Sequence, residues 1–131
     1  MKINGYEQRL YKEPIRRYCK VMALKKDPEL IEKYIEAHDP LHAWPEIRQG
    51  IRQVGILEME IYILDNKLFM IIDTPLDLDL DKAMKELASL PRQAEWEKFT
   101  ELYQDCEPDA SADEKWQYMD RIFYLYDWIS I

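Results

Sequence analysis

The sequence is poor in the residues that most often announce a catalytic or ligand-binding motif. It has two histidines, two cysteines and three glycines in 131 residues. Its few glycines form no loop whose backbone amides would cradle a phosphate, and no nucleophile elbow is present. Cys19 and Cys106 stand in no CxxC or metal-like spacing, and read as ordinary thiols of a reducing compartment. Positive charge is also in deficit: 18 Lys and Arg against 26 Asp and Glu leave a net charge of -8. Nucleic acid and anionic membrane surfaces need a basic face, so neither is an expected partner. The longest apolar runs, such as residues 67–74, are far too short to span a bilayer. The opening residues MKINGYEQRLYKEPIRRYCK lack an apolar h-region and a small-residue cleavage site. Secretion through a standard signal is therefore not expected, and the cytoplasm is the expected location.

What is there describes one folded domain. Apolar residues make up 47% and charged residues 34%, values of an ordinary globular chain rather than a disordered one. Residues 1–15 lack a clear period and read as an N-terminal extension on a domain of residues 16–131. Residues 16–24, RRYCKVMAL, have strand character. Asp27 then reads as an N-cap, with Pro28 at the first helical position and Glu29 in the first turn. Leu30, Ile31, Tyr34, Ile35 and His38 make a helical stripe that Asp39-Pro40 ends. A second helix is expected to open at Trp44-Pro45-Glu46, with Ile47, Ile51 and Val54 on one face and Gly55 as its stop. Leu57, Met59, Ile61 and Ile63 alternate with Glu58, Glu60 and Tyr62, as along a strand. Asp65-Asn66 turns the chain, and KLFMIID runs back to complete a hairpin. Residues 80–90 and 93–103 read as helices broken near Pro91, residues 105–114 as a polar loop, and residues 121–126, RIFYLY, as the last strand, followed by a short tail from Asp127. The order β-α-α-β-β-α-α-β reduces to β-α-β-β-α-β if each helix pair is one broken crossover. That is the ferredoxin-like split βαβ pattern, an α+β fold with an antiparallel sheet. Helices would cover one face of that sheet. Strands apolar on both sides then predict a two-fold homodimer that buries the other face.

Few residues compete for a chemical role. His38 and His42 lie four apart, a zinc-like spacing, but Asp39-Pro40 breaks the helix between them and no further ligand accompanies them. No metal and no cofactor are expected. Tyr34 and His38 share a face at i and i+4, near the C-terminal end of their helix. The plain alternative is a histidine that merely caps or solvates a helix end; the other is an imidazole that trades protons near neutral pH. Four tryptophans and nine tyrosines suit either a core and interface or a sugar-facing pocket. DLDLD at 77–81 lacks the spacing and central glycine of a calcium loop and reads as a solvated helix start.

The segment DPELIEKYIEAHDP followed by WPEI resembles the L-rhamnose mutarotase family, with a Tyr-x-x-x-His pair and then Trp-Pro-Glu. The likeness extends through Gly55 to Leu64, the aromatic helix around Trp96, and Ile122 to Leu125, covering about residues 16–125. It implies a dimeric α+β barrel of ferredoxin-like subunits, and a cofactor-free isomerase that interconverts the α and β anomers of L-rhamnose. It puts the proton donor at His38 and a sugar-binding tyrosine at Tyr34. A second sugar-binding tyrosine of the family falls on Met59, and an adjacent tryptophan pair becomes Trp96-Glu97. Trp44 and Trp96 are expected to line the sugar site, with Glu97 supplying hydrogen bonding that Met59 lacks. These departures make L-fucose, another 6-deoxyhexose, an alternative substrate. A non-catalytic dimeric sugar-binding or sensor module, or another small isomerase or oxygenase of the dimeric α+β barrel class, is the alternative function.

Overall fold

β1 (Ile15–Ala23) is the first element of a computed structural model that describes residues 4–126. Asp27 caps the helix that follows, α1 (Pro28–Ala37), by accepting a hydrogen bond from the Glu29 amide, and Pro28 occupies the first turn, where no intrahelical donor is needed. α2 (Pro45–Gln53) opens after Trp44 with Pro45 in the same role. It closes at Gly55, whose φ of 98° suits a residue without Cβ. β2 (Glu58–Leu64) and β3 (Lys67–Pro75) form the hairpin expected across Asp65-Asn66. α3 (Leu80–Ala88) is capped by Asp79, so the acidic run at 77–81 is a helix start. α4 (Gln93–Glu101) follows Pro91, and α5 (Ala112–Lys115) is a single turn leading into β4 (Gln117–Tyr118).

The sheet is antiparallel with strand order β2-β3-β1-β4. Register runs from Ile15↔Pro75 to Ala23↔Lys67 between β1 and β3, and from Glu58↔Asp73 to Leu64↔Lys67 between β2 and β3. This register aligns Met22, Leu24, Leu68, Met70 and Ile72 on one face. There they meet Ile31 and Tyr34 of α1, Ile51 of α2 and Leu80 of α3. Leu24, Leu68 and Ile72 are essentially inaccessible to solvent. Each such aliphatic side chain contributes about 1.5–3 kcal/mol on burial.

The opposite face has a different character. Cys19, Val21, Phe69 and Ile71 are only half-buried along it. At one end Asp73 is fully buried, held by a two-pronged contact from Arg17 (2.7 and 3.0 Å) and by the Tyr11 hydroxyl at 3.0 Å. The N-terminal segment runs antiparallel alongside β2: Tyr6 meets Tyr62 edge-on, Gln8 reaches Glu60, and Arg9 pairs with Glu58 at 3.0 Å.

One expectation fails and another is shortened. The last strand is not residues 121–126 but the two-residue β4, and Arg121 to Tyr126 form no strand. The pairing Lys20↔Tyr118 and Val21↔Gln117, if continued, would set Arg121 directly opposite Arg17, and like charges across a ladder repel. Ile122, Phe123, Leu125 and Tyr126 are exposed instead. The polar loop expected at 105–114 holds through residue 111, but residues 112–114 belong to α5, because Ser111 and Glu114 close a reciprocal capping box. Trp128 and the tail from Asp127 lie outside the described residues. Among the described residues, no helix is long and apolar enough to cross a membrane.

Candidate active site

A cavity of about 580 Å³ opens between the core face of the sheet and helices α1, α2 and α4. Its size is that of a small-molecule site. Tyr34, His38, Trp44, Met59, Trp96 and Glu97, separated by up to 63 positions in sequence, all line it.

His38 ends α1 as its C-cap residue. Its Nδ1 lies 2.7 Å from the Tyr34 carbonyl oxygen. A carbonyl only accepts, so Nδ1 carries a hydrogen and donates. Burial is the main cause that lowers the His38 pKa below its ordinary 6.5. The bond to Tyr34 opposes the shift, and the nearby Arg48 charge adds to it. The ring is therefore neutral near pH 7, with its lone pair on Nε2. Nε2 has no protein partner among the described residues. The ring is fixed from two sides, 4.4 Å from the Tyr34 ring and 5.1 Å from Trp96 in an edge-to-face contact.

Tyr34 is 4% exposed, and the Gln104 side-chain amide neighbours its phenol. Burial raises the phenol's pKa far above its ordinary 10, the neighbouring Gln104 amide moderates the shift, and the Glu97 charge reinforces it. Tyr34 is thus a phenol with a hydrogen to donate, not a base.

Trp96 of α4 packs edge-on to Trp44 at 5.2 Å, and Trp44 stacks on Phe99 at 5.5 Å. The Arg92 guanidinium lies 4.0 Å over Trp44. Gly50 of α2 lets the helices approach: its missing Cβ would lie 2.5 Å from the Gln93 amide nitrogen of α4. Glu97, one residue past Trp96, is held at 3.0 Å by Lys115, whose own side chain is 1% exposed. Met59 faces inward because its register partner is Ile72 of the core face, and with Ile61 and Met70 it makes that wall apolar. Arg9, Arg48 and Arg52 supply positive charge around the cavity.

His42 is not part of this lining. It is bonded to Asp39 at 2.8 Å and lies 3.5 Å from Glu36, and those carboxylates, Asp39 first, raise its pKa. Among the described residues, no three His, Cys, Asp or Glu side chains come together as a metal site would require. Sequence reasoning missed Gln104, Lys115 and Arg48. Ser111-x-x-Glu114 signalled the turn that carries Lys115, but no local pattern marks Gln104 or Arg48.

Comparison with known proteins agrees with this architecture. Residues 17–125 match the family model for L-rhamnose mutarotase. An L-fucose mutarotase of Xanthomonas campestris is 32% identical over 117 residues, covering 89% of this chain and 94% of that protein. A UPF0734 protein of Dictyostelium discoideum is 31% identical, over 85% of this chain and 90% of that protein. The crystal structure of an L-rhamnose mutarotase from Formosa agariphila superposes with a TM-score of 0.62 at 25% identity, over 85% of this chain and 99% of that one. On the family match and the breadth of these likenesses, the chain belongs to the L-rhamnose mutarotase family.

Proposed function

We propose that the chain interconverts the α and β anomers of a free 6-deoxyhexose, L-rhamnose or L-fucose, in the cytoplasm and without a cofactor. The observation that carries this is the His38 Nε2 lone pair, without a partner among the described residues in an aromatic cavity, with Nδ1–H held on the Tyr34 carbonyl. Ring opening requires removal of the proton on the anomeric oxygen O1 and delivery of one to the ring oxygen O5. Nε2 takes the O1 proton, the O1–H electron pair becomes the second bond of C1=O1, the C1–O5 pair leaves on O5, O5 takes a proton from a water molecule, and the hydroxide so formed is neutralised by the proton on Nε2. Rotation about C1–C2 presents the other carbonyl face, and the reverse steps close the ring as the opposite anomer. General acid–base help of this kind is worth roughly 10²–10⁴-fold. The Tyr34 phenol donates to a sugar oxygen, Trp44 and Trp96 pack against the apolar face of the pyranose, and Glu97, steadied by Lys115, accepts from a ring hydroxyl. Met59 and its apolar neighbours suit a 6-methyl group, whereas a 6-hydroxyl there would be buried unpaired.

The sheet order supports a ferredoxin-like subunit, residues 16–131 with a 15-residue extension, as half of a two-fold dimeric α+β barrel. Val21, Phe69 and Ile71 on the open face and the exposed Ile122 to Tyr126 segment give a partner apolar surface to cover. A stable monomer at micromolar concentration in sedimentation would count against that assembly. The chemistry is tested by anomer exchange in saturation-transfer NMR. His38→Asn is expected to fold and lose at least a hundredfold in exchange, while His42→Ala stays near wild type. A folded His38→Asn with near-normal exchange would remove His38 from the reaction.

A further inference from the structure

Two buried side-chain oxygens among the described residues have no hydrogen-bond partner, Glu46 Oε1 and Gln104 Oε1. The first stands 3.5 Å from the Arg92 guanidinium and outside the cavity. The second is different. Gln104 is 3% exposed, yet it lines the cavity. Its position is set by backbone, not by chance packing: Gln104 bridges Leu24 at the end of β1, flanked by hydrogen bonds from Lys25 N to Tyr103 O and from Asp105 N to Ala23 O. Its amide neighbours the Tyr34 phenol and opposes the rise in that phenol's pKa. Exchanging the amide's nitrogen and oxygen would put the nitrogen in the unpartnered position, so a buried polar atom would still be unpaired.

Leaving a buried polar atom unpaired is costly, and native structures rarely do so without cause. A methionine would fill the same volume without that cost. We propose that Gln104 is a sugar-binding, specificity-determining residue: its unpaired amide atom bonds one ring hydroxyl of the substrate, while its other end orients the Tyr34 phenol so that the phenol's hydrogen is left for a second sugar oxygen. This rests on the mutarotase reading above and deepens it. A site that pairs a hydroxyl rejects sugars in which that hydroxyl is misplaced, because the amide atom then stays unpaired. L-Rhamnose and L-fucose differ in the configuration of ring hydroxyls, so Gln104 belongs among the residues that tell them apart.

The test is exchange kinetics of wild type and Gln104→Met on both sugars at varied concentration. Exchange by wild type is measured first; its absence would overturn the mutarotase reading itself. Given wild-type exchange, Gln104→Met is expected to raise KM for the preferred sugar about tenfold, to change kcat less than threefold, and to narrow the ratio between the two sugars. Its urea midpoint should change little, since the substitution removes an unpaired polar atom along with the amide's contact to the Tyr34 phenol. The same KM increase is expected in a Tyr34→Phe background, where an effect exerted only through the phenol would vanish. Gln104→Glu, which keeps an acceptor, should recover at least part of the affinity and guards against a misfolded methionine variant. Unchanged KM and sugar ratio in folded Gln104→Met, or an effect that disappears with Tyr34→Phe, would overturn the assignment.

Discussion

Gly50→Ala is predicted to destabilise the protein, against the usual sign for a helix interior. In an exposed helix, replacing glycine with alanine gains about 1 kcal/mol from backbone entropy. Here the new Cβ would lie 2.5 Å from Gln93 Nε2, 3.1 Å from Leu87 Cδ1 and 3.3 Å from Gln93 Cδ. The far end of a flexible side chain often yields cheaply, but Gln93 is 5% exposed and its Nε2 donates to the Glu46 carbonyl at 3.1 Å. Moving it breaks that bond inside the protein and strands the amide, a cost of about 1–3 kcal/mol. Compressing Leu87 adds part of the 1–3 kcal/mol or so that overpacking brings. Net of the helix gain, a loss of about 1–3 kcal/mol is expected. At a urea slope of roughly 2 kcal/mol/M, the midpoint should fall by about 0.5–1.5 M. Equilibrium unfolding at fixed protein concentration measures it. Gly50→Ala with Gln93→Ala removes the obstacle, so the double-mutant cycle should return a coupling of at least about 1 kcal/mol. Because α2 carries Trp44 and α4 carries Trp96, exchange activity should fall with Gly50→Ala as well. A raised midpoint, or additive single and double variants, would refute the close-packed α2–α4 contact.

The Glu97–Lys115 pair predicts an asymmetry. Glu97→Ala strands an ammonium whose side chain is 1% exposed and should cost about 3 kcal/mol, whereas Lys115→Met leaves a carboxylate that is 39% exposed and still hydrated, and should cost about 1–2 kcal/mol. Equal or reversed urea midpoints would contradict the arrangement. Only neutral His38 can take a proton, and burial lowers its pKa, so kcat/KM for exchange should be flat above pH 7 and fall in acid with a limb below 6.5. A limb at or above 6.5, after subtraction of spontaneous mutarotation, would point to another base.

Much of this fold was legible because local chemistry fixed it. Asp27-Pro28, Trp44-Pro45 and Asp65-Asn66 each opened or turned an element where their side chains and backbone preferences dictated. The alternation of residues 57–63 gave the facing of β2, and so put Met59 on the cavity side. Tyr34 and His38 were visible as an i, i+4 pair. The α5 turn had a local signal in Ser111 and Glu114; the other misreadings turn on contacts distant in sequence. RIFYLY has strand-forming residues, but continuing the β4 register through it would set Arg121 against Arg17, about a hundred positions earlier. Gln104 matters because it is bridged to Leu24 and touches Tyr34, and no period in its own segment records either contact. Lys115 lies in a polar run, and its burial follows from Glu97 across the chain.

The most direct measurement is the anomer exchange rate of L-rhamnose, L-fucose, D-glucose and D-galactose, by saturation-transfer NMR under one condition with the wild-type protein. One or both 6-deoxy sugars are expected to exchange well above the spontaneous rate, L-rhamnose slightly favoured, with D-glucose and D-galactose clearly poorer because they differ in ring configuration and carry a 6-hydroxyl. D-Glucose as the best substrate would contradict the 6-deoxy assignment, and no catalysed exchange with any of the four would contradict the enzyme and leave a sugar-binding module in its place.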